Sequence, residues 1–155
     1  MIEKDLSLFM QKKVEPYTIK LESAQEIYKE GEKIDVQATL TNTSSEVKSI
    51  GHGDSWVGMA VHNLTEDYQF GYAMNEPYIV TTVKPNEIIT EQYNFSGGSY
   101  ISNQPGRKYS DEDVQKMSTL YFTKGQYEIV AHFNFIDEET SITYKEALSI
   151  VFEVQ

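Results

Sequence analysis

Apolar and polar residues alternate along much of the chain. Ile34, Val36, Ala38 and Leu40 interleave with Asp35, Gln37 and Thr39 before the turn formers Asn42-Thr43-Ser44-Ser45. A period of two sends successive side chains to opposite faces of a strand, so this segment reads as a half-buried strand and its turn. The clearest case places Tyr127, Ile129, Ala131, Phe133 and Phe135 against Glu128, Val130, His132 and Asn134, between Lys124-Gly125 and Asp137-Glu138-Glu139. Leu148, Ile150, Phe152 and Val154 then alternate with Ser149 and Glu153, and the last two segments are expected to form an antiparallel hairpin.

Further segments fit the same scheme. Residues 17–21 open the series, 56–61 and 68–72 make a middle pair, and 78–83 and 88–95 follow. The spacing predicts about seven or eight strands. The one helix expected spans Ser110 to Met117, with Ser110 as cap and Asp111 to Asp113 at the positive end of its dipole. Residues 4–13 read as a short helix or a fraying arm. The chain thus divides into an arm, 1–16, and one domain, 17–155. Many short strands with one apolar face must bury it against a second sheet, so the expected fold is all-β: a two-layer antiparallel β-sandwich, with one short helix in a long loop and a barrel as the alternative.

Composition narrows the chemistry. The 155 residues contain no cysteine, which excludes a disulfide framework, a thiolate metal site and a cysteine nucleophile. Twenty-four acidic residues against 13 Lys and Arg give a net charge of -11, which repels phosphate backbones, so nucleic acid is not an expected partner. No apolar run approaches the roughly 20 residues that span a bilayer. The segment Met1 to Met10 has acidic residues where an export signal carries basic ones. Absence of cysteine suits a cytoplasmic protein, or an extracytoplasmic, cell-surface one whose signal has been removed. Asn42, Asn63 and Asn94 begin Asn-x-Ser/Thr sequons, as expected by chance in a chain rich in turn formers.

Gly125-Gln126-Tyr127-Glu128-Ile129-Val130-Ala131 resembles the late strand of bacterial immunoglobulin-like domains, where a Gly-x-Tyr turn precedes alternating residues. Tyr28-Lys-Glu-Gly31 and the strand running to Asn42 look like the first-turn signature of the same group. With Lys84-Pro85-Asn86-Glu87, these segments resemble the intracellular proteinase inhibitor family of Bacillus-type bacteria and related immunoglobulin-like surface lipoproteins, over residues 17–154. The resemblance implies an immunoglobulin-like sandwich and a protein partner. Its motifs are features of strand and turn, so no functional residue is carried over.

Chemical constellations are sparse. Gly51-His52-Gly53-Asp54 offers one imidazole and one carboxylate in a glycine-flanked loop, which is half a metal site. A transition metal needs three or four donors, and His62 and His132 belong to the polar faces of other strands, so no metal or cofactor is assigned. Asp54, Ser55, His62 and His132 lack a Gly-x-Ser-x-Gly elbow, and no catalytic residue is named. Neither acidic run follows a calcium-loop plan. Residues 111–113 charge a helix start and 137–139 solvate a hairpin turn.

Aromatics make up 12% of the chain, eleven of them Tyr. Phe70 and Phe95 are expected in the core, whereas Trp56, Tyr72, Tyr100, Arg107 and Tyr109 are the candidate binding residues, able to stack on sugar rings or anchor a protein. Residues 96–118 form a long excursion, expected either to bind or to cover a sheet edge. The expected function is a non-catalytic module that binds another protein, a protease as the resemblance implies. The alternative is a surface domain that binds cell-wall polymer or carbohydrate; a hydrolase ranks third.

Overall fold

Residues 3–75, 77–95, 100–102 and 111–155 are described by the structure, a computed structural model. In chain order the elements are β1 (Phe9–Val14), β2 (Tyr17–Ser23), β3 (Ile27–Tyr28), β4 (Val36–Asn42), β5 (Lys48–His52), β6 (Val57–Asn63), β7 (Tyr68–Phe70), β8 (Ile79–Val83), β9 (Ile88–Gln92), β10 (Tyr100–Ser102), α1 (Asp111–Ser118), β11 (Gly125–Asp137) and β12 (Thr143–Val154). They form two sheets. One has the order β1-β2-β4-β9; the other runs β10-β7-β6-β11-β12-β3, with β5 beside β11 and β8 beyond β5. Among the described residues every pairing is antiparallel except that of β3 with β12. The fold is all-β, and the two sheets remain separate rather than closing into a barrel.

Strand count and chain start differ from expectation. Among the described residues there are twelve strands, the additions being β1, β3, β5 and β10. Within the expected arm, Phe9–Val14 is a strand in register with β2, from Phe9 opposite Glu22 to Val14 opposite Tyr17. It left no periodic signal because it docks by backbone pairing on a sheet edge. Five of its six residues are exposed and only Val14 packs against the core. Residues before it cross to the other sheet, where Ser7 N donates to Val151 O at 2.9 Å and Lys4 Nζ meets Glu128 Oε1 at 3.0 Å.

The core lies between the sheets. Tyr17, Ile19 and Leu21 of β2 and Ala38 and Leu40 of β4 are fully buried in one cluster with Ile129, Ala131, Ile150 and Phe152 of the β11–β12 hairpin. Full burial of each large apolar side chain contributes about 1.5–3 kcal/mol before entropy is counted. Phe70 and Phe95 join this interior, their rings edge to face at 5.0 Å. Helix α1 closes one part of it with Met117, whose Sδ lies 3.3 Å from the Tyr68 hydroxyl. Ser110, the expected cap, is outside the described residues. Gly31 takes φ +95°, a conformation side-chain-bearing residues rarely adopt, in the turn closed by Glu32 N donating to Lys29 O.

β11 positions the site. Its first half pairs with β6, from Tyr127 opposite Asn63 to Phe133 opposite Val57, and its end pairs with β5 at Ile136 and Asp137. β5 and β6 therefore lie end to end along one strand, and residues 53–56 form the junction between them.

Candidate functional site

After Phe70 the chain leaves β7 and runs across the outer face of the larger sheet before entering β8. Two glycines make that path available. Gly58 of β6 stands opposite His132 of β11, and the Tyr72 ring fills the space a side chain at Gly58 would take. Tyr72 also lies over His132, with ring centroids 5.6 Å apart. Gly51 of β5 plays the same part for Tyr78, whose hydroxyl occupies the position of the missing Cβ and donates to Glu138. That bond to a carboxylate, with partial desolvation, raises the Tyr78 phenol above its usual range. Between the two tyrosines Asn75 N donates to Asp54 Oδ2 at 2.9 Å, and Asp54 N donates to Asn75 O at 3.2 Å. The segment is thereby strapped to the sheet at three points.

The strap carries exposed apolar side chains at both ends. Tyr72 is 37% exposed, Tyr78 65%, and Ile79 and Val80 continue the exposed run into β8. Beneath the strap is a cleft of about 260 Å³ lined by His52, Trp56, Tyr72, Tyr78, His132 and Asn134. A larger depression of about 650 Å³ lies at Glu3, Asp5, Gly125 and Glu153, where no aromatic side chain lines it. An aromatic anchor carries more contact energy than a polar, open hollow, so the strap is the stronger candidate.

The five expected binding residues separate. Tyr72 is exposed on the strap. Trp56 is not a surface platform: it is 4% exposed and stacks on Phe133 at 6.0 Å inside the core, with only part of it reaching the cleft. Tyr100 lies in β10 opposite Phe70, its side chain outside the described residues. Arg107 and Tyr109 are outside the described residues altogether. Tyr78 joins Tyr72 in their place. Gly51, which meets it, lies inside a strand in the structure, where a glycine often marks close approach of another chain segment, although its sequence context reads as a loop.

His52 was expected in a flexible loop and instead ends β5, buried, with both ring nitrogens engaged. Gly53 O can only accept, so Nδ1 carries the proton toward it at 2.7 Å, while Nε2 lies 2.6 Å from Thr81 Oγ1. His62 pairs with Asp67 at 2.9 Å on the β6–β7 hairpin, away from the cleft. Ser55 Oγ donates to Glu91 rather than to an imidazole. Among the described residues no group of three potential metal ligands converges.

Of the acidic run at 137–139, Glu138 and Glu139 are exposed in the hairpin turn, whereas Asp137 departs from the expected solvating role. Asp137 is fully buried at the end of β11: Tyr17 Oη donates to its Oδ2 at 2.7 Å, and the amides of Glu139 and Thr140 donate to Oδ1 at 2.9 and 3.0 Å. Lys48 Nζ lies 3.9 Å from Asp137 and 3.3 Å from Glu139. Desolvation alone would raise the Asp137 carboxyl, but the Tyr17 hydroxyl, the two amides and Lys48 outweigh it and hold it below the usual range. This is a charged joint between the sheets. Sequons at Asn42 and Asn63 are likewise buried, whereas Asn94 is exposed.

No protein-family model matches the chain, and no curated protein matches it.

Proposed function

We propose that the chain is a non-catalytic protein-binding module with an immunoglobulin-like arrangement of its two sheets, and that it engages its partner through the strap. The observation that supports this most directly is the presentation of Tyr72 and Tyr78 on a segment fixed to the sheet by Gly51, Gly58 and the Asp54–Asn75 bonds. Anchors held in place before binding lose little conformational entropy on contact, and tyrosine combines apolar area with a polar tip. The partner class follows the resemblance to proteinase inhibitors: a subtilisin-like protease that takes up an exposed, rigid segment.

The test is titration of a subtilisin-like protease with the purified chain. Inhibition should saturate at a fixed ratio, and a Tyr72→Ala/Tyr78→Ala variant should bind at least about 30-fold more weakly, as loss of hot-spot aromatics does. No effect at micromolar concentration rules the protease reading out.

A second reading, binding of cell-wall polymer or carbohydrate, is favoured by the cleft, where the Tyr72 and Tyr78 rings meet the polar side chains of His132 and Asn134. Calorimetry with soluble cell-wall fragments separates the two. Heat lost on substituting His132→Ala, with protease binding absent, supports the carbohydrate.

A further inference from the structure

We infer that the chain pairs with a second copy of itself through β8, about a two-fold axis at Thr81. Among the described residues β8 bonds only to β5, so its other side is a free sheet edge. The other long edges carry charges, Lys12 and Lys13 on β1 and Glu91 on β9, while β3 and β10 are two and three residues long. Charges and short edges discourage strand addition. β8 has neither protection: Tyr78 to Val83 is a six-residue uncharged run in which Ile79 and Val80 are 39% and 51% exposed.

The register decides which backbone groups are available. Glu138 N donates to Ser49 O, so the Ser49 carbonyl faces β11. Alternation along an antiparallel strand then turns Lys48, Ile50 and His52 toward β8, where they stand opposite Val83, Thr81 and Ile79. The N–H and C=O groups of Tyr78, Val80 and Thr82 are left pointing to the free side. An axis at Thr81 sets Val80 opposite Thr82 of the second copy, so the outward groups of these two residues complete a short ladder, which ends where Lys84 turns into its own contacts with Glu87.

Charge selects this axis and the second copy as occupant. The same pairing puts Lys84 opposite Tyr78 of the second copy, whose hydroxyl is held by Glu138. Lys84 is exposed and makes no ion pair among the described residues. Two Lys84–Glu138 contacts, one at each end, then close the interface. They offset locally the repulsion between two chains of net charge -11, which at about 0.15 M salt is screened beyond about 8 Å.

Sedimentation equilibrium up to about 0.3 mM protein should give a monomer–dimer equilibrium. Lys84→Glu and Glu138→Lys should each weaken dimerisation about tenfold, by turning two attractions into repulsions, and the double exchange should restore it. Val80→Pro should abolish the dimer while keeping the strand spectrum, since proline is tolerated where the N–H faces away from the sheet. A monomer at every concentration overturns the inference, as does a dimer that Lys84→Glu and Val80→Pro leave unchanged. Loss of fold in Val80→Pro would show that its N–H faces β5, and overturns the edge assignment.

Discussion

The hydroxyl of Tyr17 and the carboxylate of Asp137 meet at 2.7 Å, joining the second strand of one sheet to the last residue of β11 in the other. The two residues are 120 positions apart in the chain and both are fully buried. Around them Phe135 and Tyr144 pack on the Tyr17 ring, edge to face at 5.3 and 5.5 Å. A buried carboxylate that loses its donors keeps its desolvation penalty, so this joint should be a sensitive point of the fold.

Asp137→Ala is expected to destabilise the protein by about 3–5 kcal/mol, because it orphans the buried Tyr17 hydroxyl and two amides and leaves Lys48 paired with Glu139 alone. Tyr17→Phe removes one bond and should cost about 1–3 kcal/mol. Since the folded Asp137 carboxyl titrates below its unfolded value, the native state binds fewer protons there than the unfolded chain. Its contribution is fully present above the unfolded value, about pH 4, and is lost as pH falls through the folded one. Urea melts between neutral pH and pH 2 should show that slope in the wild type and a shallower one in Asp137→Asn.

Asn42→Ala should cost about 2–4 kcal/mol. The buried Asn42 amide donates to Glu46 O at 2.7 Å and Val83 O at 2.9 Å, while its Oδ1 accepts from the Ser44 amide and hydroxyl. Truncation leaves two carbonyls without these donors. Asn42→Asp should be no better, since it faces the same carbonyls with an acceptor. Chemical denaturation of both variants measures this.

Gly58→Ala should displace Tyr72 from the sheet at a cost of about 1–3 kcal/mol, the range for overpacking. The ring can swing outward, so the core hairpin should survive. Loss of the Tyr72 ring-current shift on the His132 protons would show the displacement, and partner binding should fall with it. Unchanged shifts would mean that the strap does not depend on this glycine.

Trp56, the only tryptophan, should emit as a buried indole, blue-shifted and poorly quenched by acrylamide. Trp56→Ala should cost about 3–5 kcal/mol through the lost contact with Phe133. Emission of a water-exposed indole would contradict the packing at the β5–β6 junction.

Alternation located most of the strands that bury a face; β5, which buries Ile50 within five residues interrupted by Gly51, escaped it. Residues 17–21, 34–40, 127–135 and 148–154 declared themselves because each must send every second side chain into the core, and burial imposes a period of two. β1 has five exposed residues in six, and β3 and β10 have two and three residues, so they carry no such period. They exist because other strands offer unpaired edges.

Tyr72 was legible as a candidate binding aromatic and Gly58 as a glycine within an expected strand, whereas Gly51 read as part of a loop because β5 carries no clear alternation. That the tyrosines lie on those glycines follows from the β7–β8 connection crossing the outer face, a path local sequence does not encode. Asp137 reads locally as one of three acidic residues in a turn, and only the meeting of β2 with the end of β11 makes it a buried anion. The sequence by itself determined which residues face inward, because the hydrophobic effect acts on each side chain where it stands. Tertiary structure decided which charges are buried and which aromatics are exposed, because those outcomes depend on partners brought together from distant parts of the chain.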